Sequence, residues 1–488
     1  MYKLSFILSC FILGTALTHT LKAQVYLTFD EVVNISRCEN LSARKAYVEK
    51  KNAYWNYQIH KSNLRPQLTL DTRIADFTKG VTPITQNDGS IAIVSIDQNS
   101  SNANLTLLQP IPLLGAEVFM NSNLFRFDNF SVVDHSYSSQ PIEVGFQMPV
   151  LQFNQLKWDK RIKPFEYLES KKEYDRKLEQ SAYQAVAMFF QNIIDRNEWT
   201  MANSNMEQNT ELYRISEERF KSGYISQDEL LQVKLMMVNA RKNLKAAQVS
   251  MENSALLLLT HLSLTEITDF YPVVPTSIPE VTISSHKAIE YALEYNPESI
   301  AFKRRLLEAD QELAKAKGAT GIIGDVFATV GYGSDFDDLP NWNREMNQHA
   351  TLKIGFSIPI IDWGRTTAAR KQASMKKELE ETSVLQERIN FEKEIISLVN
   401  VVQMLKENMA IVQEAESISK QRYEIAYNRY LVDDLSVLEL NMAQNEKDYA
   451  SRDLLSSLAS FWINYHRLRM ITLFDFIGQK ALITQNEN

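Results

Sequence analysis

Two long stretches of the chain almost lack the residues that interrupt helices. Residues 165–271 contain no proline and a single glycine, Gly223, and residues 365–477 contain neither. Both stretches are rich in Glu, Lys, Gln, Ala and Leu, which are good helix formers. Almost all the remaining proline and glycine lie in residues 64–164 and 272–364. The chain is therefore predicted to alternate long helices with regions of strands and loops.

Apolar residues within these helical stretches recur at alternating spacings of three and four. One seam consists of Leu230, Val233, Met237, Ala240, Leu244, Ala247 and Met251, and a second of Ile395, Leu398, Val402, Leu405, Met409 and Val412. This spacing is typical of coiled coils, in which paired helices pack along a narrow apolar stripe. The core of a helical bundle explains the seams equally well, but it does not explain the strand regions between them.

The N-terminus predicts export. Lys3 precedes an apolar run over residues 4–17, and Ala23 lies at a plausible cleavage point. We therefore predict a signal peptide over residues 1–23. Its removal takes away Lys3 and Lys22, so the formal net charge changes from -8 to -10. An acidic exported chain is not expected to bind nucleic acid.

The mature chain is predicted to keep one cysteine, Cys38, which excludes an intramolecular disulfide. No segment after the signal peptide is expected to form a transmembrane helix. A membrane span would therefore have to consist of β-strands.

The chain contains an internal duplication. Residues 142–149 resemble residues 352–359, an offset of 210 positions. The pairs Arg219-Phe220 and Arg429-Tyr430 show the same offset, as do residues 226–230 and 436–440. The segment between these landmarks has the same length in both halves, as a fully paired coiled coil requires.

The two halves differ in length at an earlier point. Residues 27–40 align with residues 283–296 at an offset of 256, so repeat 1 carries 46 additional residues. These must lie within about residues 78–140, a region rich in Asn, Ser, Gly and Pro. Such a composition is typical of a loop or an added hairpin, and the sequence leaves open whether it adds strands.

Each repeat is predicted to contain, in this order, a helix, a strand, a loop, a strand, a long helix, a turn and a helix. Thr28-Phe-Asp-Glu31 forms a capping box that opens the first helix. Repeat 1 (24–282) is predicted to contain a helix over 28–62, a strand and loop region over 64–154, a long helix over 155–222 and a helix over 226–261. Repeat 2 (283–477) is predicted to contain a helix over 286–317, a strand region over 322–363, a long helix over 365–432 and a helix over 435–473, before a tail over 478–488. Each long helix would extend about 100 Å, and two short helices end to end match one long helix, which favours a barrel of antiparallel helices.

Four strand candidates alternate between apolar and polar residues. Their apolar positions are Leu68, Leu70, Thr72 and Ile74; Ile142, Val144, Phe146 and Met148; Val326, Ala328, Val330 and Tyr332; and Leu352, Ile354, Phe356, Ile358 and Ile360. Each candidate has the length of a tilted membrane strand. The junctions from strand to helix contain Pro149 and Phe153 in repeat 1 and Pro359, Trp363 and Gly364 in repeat 2, where an aromatic belt is expected.

These strands lead to the predicted fold class. A soluble sandwich with one wet face has the same alternation, but export and the coiled-coil seams argue against it. Four strands cannot close a barrel, because about eight are needed. We therefore predict an α+β membrane protein, in which a long antiparallel coiled-coil α-barrel continues into a transmembrane β-barrel shared between subunits.

The duplicated junctions and turns resemble those of the TolC-like outer-membrane efflux family. The junction over residues 356–365 (Phe-Ser-Ile-Pro-Ile-Ile-Asp-Trp-Gly-Arg) is typical of that family, and so are the turns over 219–231 and 429–440. The resemblance covers nearly all of the chain after the signal peptide. It implies a homotrimer with a twelve-stranded barrel in the bacterial outer membrane. It also implies a helical tunnel through the periplasm, docked on an inner-membrane pump through an adaptor protein.

In that family the helical turns close the tunnel, and the resemblance suggests which residues would form the gate. Tyr430 matches a gate tyrosine, Glu229 matches an acidic partner on the neighbouring hairpin, and Glu439 matches an inward carboxylate of a cation-selective ring. The sequence departs from the family pattern at three positions: Leu435 replaces an arginine, Met442 replaces a second acid, and Asp433 replaces the turn glycine. The first turn contains Gly223. A simpler gate with at most one acidic ring is therefore expected. Solvated coiled-coil charges and a packed aromatic side chain are the alternative interpretation of these residues.

Together these features predict the outer-membrane exit duct of a tripartite efflux system, with no catalytic, cofactor or metal site. The sequence has no His-Glu-x-x-His pair, serine nucleophile elbow or phosphate-binding glycine loop. The expected partners are further copies of the chain, a periplasmic adaptor, an inner-membrane pump or ABC exporter, and outer-membrane lipid. Two alternatives stay open: the outer-membrane component of type I protein secretion, and an exported coiled-coil scaffold or adhesin stalk without a channel. The cargo does not follow from the sequence.

Overall fold

The computed structural model describes residues 25–132, 134–266, 270–275, 278–339, 346–432 and 434–484. The predicted signal peptide and Asp433 lie outside these residues. The chain divides into two compact units. The first, which we call the turn unit, comprises Met1–Asn40, Gln184–Ile278 and Gln413–Ala459. The second, the strand unit, comprises Leu41–Tyr183, Pro279–Val412 and Ser460–Asn488.

The described part of the chain forms eight α-helices. They are α1 (Phe29–Cys38), α2 (Leu41–Asn63), α3 (Gln155–Lys221), α4 (Gln227–His261), α5 (Ser285–Tyr295), α6 (Glu298–Ala319), α7 (Arg365–Leu431) and α8 (Val437–Thr472). The two longest, α3 and α7, have 67 residues each. The side chains of Thr28 and Glu31 form the predicted capping box at the start of α1.

Two helices that the sequence predicts as continuous are each divided in two. The helix predicted over 28–62 ends at Cys38 and restarts at Leu41, next to the buried Asn40. Asparagine competes with the helical backbone for hydrogen bonds and therefore favours such breaks. The helix predicted over 286–317 is interrupted by Pro297, which forces the preceding Asn296 into an extended conformation (ψ 140°).

The described residues contain ten β-strands. They are β1 (Val25–Thr28), β2 (Gln67–Thr85), β3 (Ile91–Ile111), β4 (Ala116–Asn129), β5 (Asp134–Val150), β6 (Phe270–Val273), β7 (Ile323–Phe336), β8 (Asn347–Ser357), β9 (Phe474–Asp475) and β10 (Lys480–Ala481). In the turn unit β1 pairs with β6 in parallel, and in the strand unit β9 and β10 form a small antiparallel pair. Neither short pair was expected from the sequence.

The main sheet of the strand unit has six strands in the order β2-β3-β4-β5-β7-β8, with every neighbouring pair antiparallel. The expectation of four strands per chain is therefore wrong. Residues 78–140, which were left open as a loop or as added strands, extend β2, contain all of β3 and β4 and include the start of β5. Several of their Asn residues, such as Asn102, Asn104 and Asn121, lie on the polar face of these strands. At the other end of the sheet, β8 ends at Ser357, so Ile358 and Ile360 lie beyond the strand to which they were assigned.

Buried residues on the long helices agree with the predicted seams. On α4, Val233, Ala240 and Ala247 are buried at intervals of seven. On α7, Ile395 and Val402 are buried at the same interval. This periodicity is that of helices packing along a narrow stripe.

One described helix, α7, is long and apolar enough to cross a membrane by length and composition alone. The sequence analysis expected no such helix. The core helix of a soluble protein passes the same test, and α7 buries Ile395, Leu398 and Val402 of its seam against the protein.

Candidate functional site

The main sheet has one apolar face, which crosses all six strands. The register aligns a single row across the strands: Leu68, Leu107, Met120, Val144, Val330 and Ala350. Leu68 is 64% exposed, and Met120, Val144 and Val330 are each more than 40% exposed. On β8 the same face continues through Leu352, Ile354 and Phe356, all exposed. An exposed apolar surface of this extent marks contact with a partner or a membrane.

The opposite face of the sheet is polar. The adjacent row consists of Thr69, Thr106, Asn121, Glu143, Gly331 and His349. These two rows thus alternate between apolar and polar residues across the sheet, as in membrane barrels whose lumen is polar. The faces predicted for the four strand candidates are confirmed, and the pattern extends to β3 and β4.

Glycines on the polar face make room for larger side chains of neighbouring strands. The imidazole of His349 reaches across Gly331 and lies 3.1 Å from a carboxylate oxygen of Glu143. A Cβ atom at Gly331 would lie 2.9 Å from that imidazole. The ring of Phe119 covers Gly145 in the same way, at 2.1 Å from the position of a Cβ atom.

The two junctions from strand to helix differ in geometry. Pro149 lies within β5 opposite Asp325, and the backbone of Phe153 lies against Gly318. In repeat 2, Pro359 and Trp363 lie in an exposed loop, where Trp363 is 95% exposed and has a positive φ of 53°.

The loop of repeat 2 ends by capping α7. Asp362 accepts hydrogen bonds from the backbone N–H groups of Gly364 (3.0 Å) and Thr366 (2.9 Å). Gly364 has a φ of 85°, in the left-handed region that glycine adopts without strain. The hydrogen bonds from Thr366, followed by that from Gly364, lower the pKa of Asp362.

In the turn unit, Tyr430 is 6% exposed and lies in a core cluster of α3, α4, α7 and α8. Its hydroxyl group lies 3.3 Å from the Ser216 hydroxyl group. The guanidinium group of Arg219 lies 5.7 Å from the Tyr430 ring centre and donates to the Leu431 carbonyl at 2.9 Å. The cluster also contains Leu212, Val233, Tyr423, Ala426, Val437, Leu440 and Ala443, with Leu435 packed against it.

The two predicted gate carboxylates cap helices. Glu229 accepts from the backbone N–H of Ser226 at 3.2 Å, and the Glu229 N–H donates to the Ser226 hydroxyl at 3.2 Å. Glu439 and Ser436 form the same box at the start of α8 (3.1 and 3.3 Å). The hydrogen bonds from the Ser436 side chain and backbone lower the pKa of Glu439. Within the described part of the chain, Glu229 and Tyr430 therefore belong to different hydrogen-bonded groups.

The two turns close in related ways. Gly223 has a φ of 77° and allows the Tyr224 N–H to bond to the Arg219 carbonyl at 2.9 Å, as at many helix C-termini. In the second turn, Arg429 forms an ion pair with Asp434 at 2.9 Å. The sequence analysis missed this ion pair and the Ser216–Tyr430 contact. In the sequence, the ion pair was visible only as opposite charges on either side of a turn. The Ser216–Tyr430 contact had no signal in the sequence.

Among the described residues, no group of three or more His, Cys, Asp or Glu side chains is placed to hold a metal ion.

Solved structures with the same fold match nearly the whole chain. The Campylobacter jejuni CmeC outer membrane channel matches with a TM-score of 0.66 and 16% sequence identity, over 94% of this chain and 87% of that protein. A membrane protein from Pseudomonas aeruginosa matches with a TM-score of 0.66 and 12% identity, over 95% and 94%. CusC, whose structures follow folding and transmembrane channel formation, matches with a TM-score of 0.64 and 14% identity, over 92% and 93%.

The fold is therefore one found in outer membrane channels. Residues 87–262 also match the sequence model of the family described as "Outer membrane efflux protein". The chain therefore resembles outer membrane efflux proteins in the sequence of this segment and in its fold. The family of this sequence model is non-enzymatic, which agrees with the prediction that the chain is not an enzyme. No curated protein sequence matches the chain significantly.

Proposed function

We propose that the chain is one subunit of an outer-membrane channel, the exit duct of a tripartite efflux system that passes small molecules. The observation that carries the proposal is the six-stranded sheet with one exposed apolar face and one polar face. Lipid would cover the apolar face, and the polar face would line water. A coiled-coil stalk without a channel has no need for such a sheet, so this alternative loses support.

The sheet cannot act alone as a membrane span. Its two edge strands, β2 and β8, would expose unpaired backbone groups to lipid, which is very unfavourable. Copies of the chain would remove these edges by pairing β2 of one copy with β8 of the next. Three copies, as the resemblance implies, would bring eighteen strands, six from each. A periplasmic adaptor and an inner-membrane pump complete the proposed system.

The turns between α3 and α4 and between α7 and α8 are the proposed gate of the duct. Tyr430 is the central residue, since it joins the two helical pairs through Ser216 and the guanidinium group of Arg219. Glu229 and Glu439 contribute by holding the helix starts and by adding negative charge at each turn. Gly223 and Leu435 contribute to the shape of the turns, and Asp433 lies outside the described residues.

The gate proposal is tested by planar-bilayer conductance of Tyr430→Phe combined with Glu229→Ala. Loss of the buried hydroxyl contact and of one helix cap should loosen the turns, so the variant should conduct more current than the unmodified protein. Tyr224→Phe is the matched control, because Tyr224 is 80% exposed. Equal conductance of the double variant and the unmodified protein would contradict the proposed gate.

The channel itself is tested by gel migration and conductance. The protein should need detergent for solubility, migrate differently before and after heating, and form ion-conducting pores in lipid bilayers. Full solubility without detergent and the absence of any conductance would favour the stalk.

A further inference from the structure

The inserted residues of repeat 1 form two strands that run the full depth of the sheet. The turn between β3 and β4 is bonded to the helical end of the strand unit, where the Asn154 side chain donates to the Pro112 carbonyl at 2.9 Å. The Gln109 side chain donates to the Leu64 carbonyl, just beyond α2, at 3.2 Å. From this turn the ladder of β3 and β4 continues to Gln98 and Asn129. The insertion is therefore part of the sheet over its whole height.

In the half of the sheet nearest the helices, the two inserted strands carry the same two faces as the other four. Leu105, Leu107, Met120 and Leu124 lie on the apolar side, with Leu105, Met120 and Leu124 exposed. The polar side of β3 and β4 carries amide and hydroxyl groups at Asn102, Asn104, Thr106, Asn121 and Asn123. The same side of β4 also carries Glu117 at its start and the rings of Phe119, Phe125 and Phe127. Along residues 98–108 and 119–127 no charged side chain lies on this polar face. The amide oxygens of Asn121 and Asn123 are buried and have no hydrogen-bond partner within the described part of the chain.

The number of strands sets the width of a barrel. With strands about 4.8 Å apart and tilted by about 40°, the backbone radius is about 18 Å for eighteen strands and about 12 Å for twelve. A lining of side chains removes about 5 Å, which leaves lumen radii of about 13 Å and about 7 Å. Barrels of sixteen to eighteen strands enclose an open aqueous channel.

We infer that the β3–β4 insertion widens the membrane part of the duct, so that it passes bulky, uncharged, hydrogen-bonding solutes that a twelve-stranded barrel would exclude. This inference rests on the proposed channel function. The amide and hydroxyl groups of this lining can donate hydrogen bonds to such solutes and accept hydrogen bonds from them. Along the ladder of β3 and β4, Glu117 is the one charged side chain that the inserted strands add to this face. The inserted strands then widen the lumen and do not form a charged filter.

Thiol labelling of the full-length protein in lipid vesicles tests the inference without depending on the state of the gate. In a Cys38→Ser background, Asn121→Cys places a thiol on the polar face of β4. Met120→Cys places the matched control thiol on the apolar face, and Asn87→Cys, in the exposed turn between β2 and β3, gives the reference rate. Each variant is treated with a small charged maleimide and with a maleimide–polymer of about 10 Å radius, which fits the wider lumen only.

If the lumen is wide, both reagents should label Asn121→Cys, and neither should label Met120→Cys. The ratio of the small-reagent rate to the polymer rate at Asn121→Cys should be no larger than the same ratio at Asn87→Cys. Labelling of Asn121→Cys by the small reagent alone would overturn the inference and leave the channel intact. So would cross-linking that shows two copies per assembly instead of three. Failure of both reagents at Asn121→Cys, or equal labelling at Met120→Cys, would contradict the proposed channel itself and the inference with it.

Discussion

At the scale of single residues, the absence of a side chain determines how the polar face of the sheet is filled. Gly145→Ala would place a methyl group 2.1 Å from the Phe119 ring, closer than any real contact. The ring would have to leave its position beside Phe327, with which it stacks at 6.0 Å. Overpacking of this kind costs about 1–3 kcal/mol. We expect Gly145→Ala to lower the temperature at which the assembled protein loses its heat-resistant gel mobility.

Gly80→Ala is the matched control, because no atom lies within 4 Å of a Cβ atom at that position in strand β2 of the same sheet. Equal thermal stability of the two variants would show that Phe119 moves aside without cost.

Residue pairs that are close in sequence were easier to predict than pairs brought together by helix packing. The capping box at Thr28 and Glu31 follows from a spacing of three residues, and the structure confirms it. The same spacing recurs at Ser226 and Ser436, yet the resemblance assigned their partners Glu229 and Glu439 to the gate. The contact of Ser216 with Tyr430 joins residues 214 positions apart. Such a contact depends on the register of two helices, which a single sequence does not specify.

At the scale of elements, one tyrosine makes the helical core of the turn unit sensitive to alkali. Tyr423 of α7 donates its hydroxyl hydrogen to the Gln208 side chain of α3 at 2.5 Å. Burial raises the pKa of Tyr423 to about 12, above its ordinary value near 10. A raised folded-state pKa contributes stability that is complete below about pH 10 and is lost as the pH rises toward 12.

Tyr423→Phe removes this ionisation and should reduce the loss of thermal stability between pH 10 and pH 12, measured by circular dichroism of the helices. Tyr449→Phe, at a position 68% exposed, should leave the pH profile unchanged. An identical alkaline loss in Tyr423→Phe would show that another group is responsible.

The seam of α7 gives a second test at this scale. Ile395 is fully buried, and Ile395→Ala should cost about 2–5 kcal/mol through lost contacts and an unfilled cavity. Ile411 of the same helix is 65% exposed, so Ile411→Ala should cost little. Thermal unfolding followed by circular dichroism separates the two. Equal losses would mean that the seam is not the packing surface of α7.

Elements were predictable where a single period governs the sequence. The long helices follow from the absence of proline and glycine, and the strand faces follow from strict alternation. The inserted strands β3 and β4 were harder, because Asn and Ser on the polar face and Pro110 within β3 resemble a loop. The breaks at Asn40 and Pro297 had local signals, but the helical periodicity on both sides outweighed them.

At the scale of the whole molecule, the fold agrees with the architecture that the sequence predicted, and the strand count does not. The sheet has six strands where the sequence predicted four, and this difference changes the expected width of the proposed pore. The account as a whole depends on one claim: the apolar face of the sheet meets lipid and the polar face meets water.

Spin labels along β8 test that claim most directly. Single cysteines replace residues 350–356 one at a time in a Cys38→Ser background, and each label is exposed to oxygen and to a water-soluble nickel complex in lipid vesicles. Labels at Leu352, Ile354 and Phe356 should collide mainly with oxygen, and labels at Thr351 and Lys353 mainly with the nickel complex. This alternation would support a strand between lipid and an aqueous lumen. Equal access of the nickel complex to every position would contradict it.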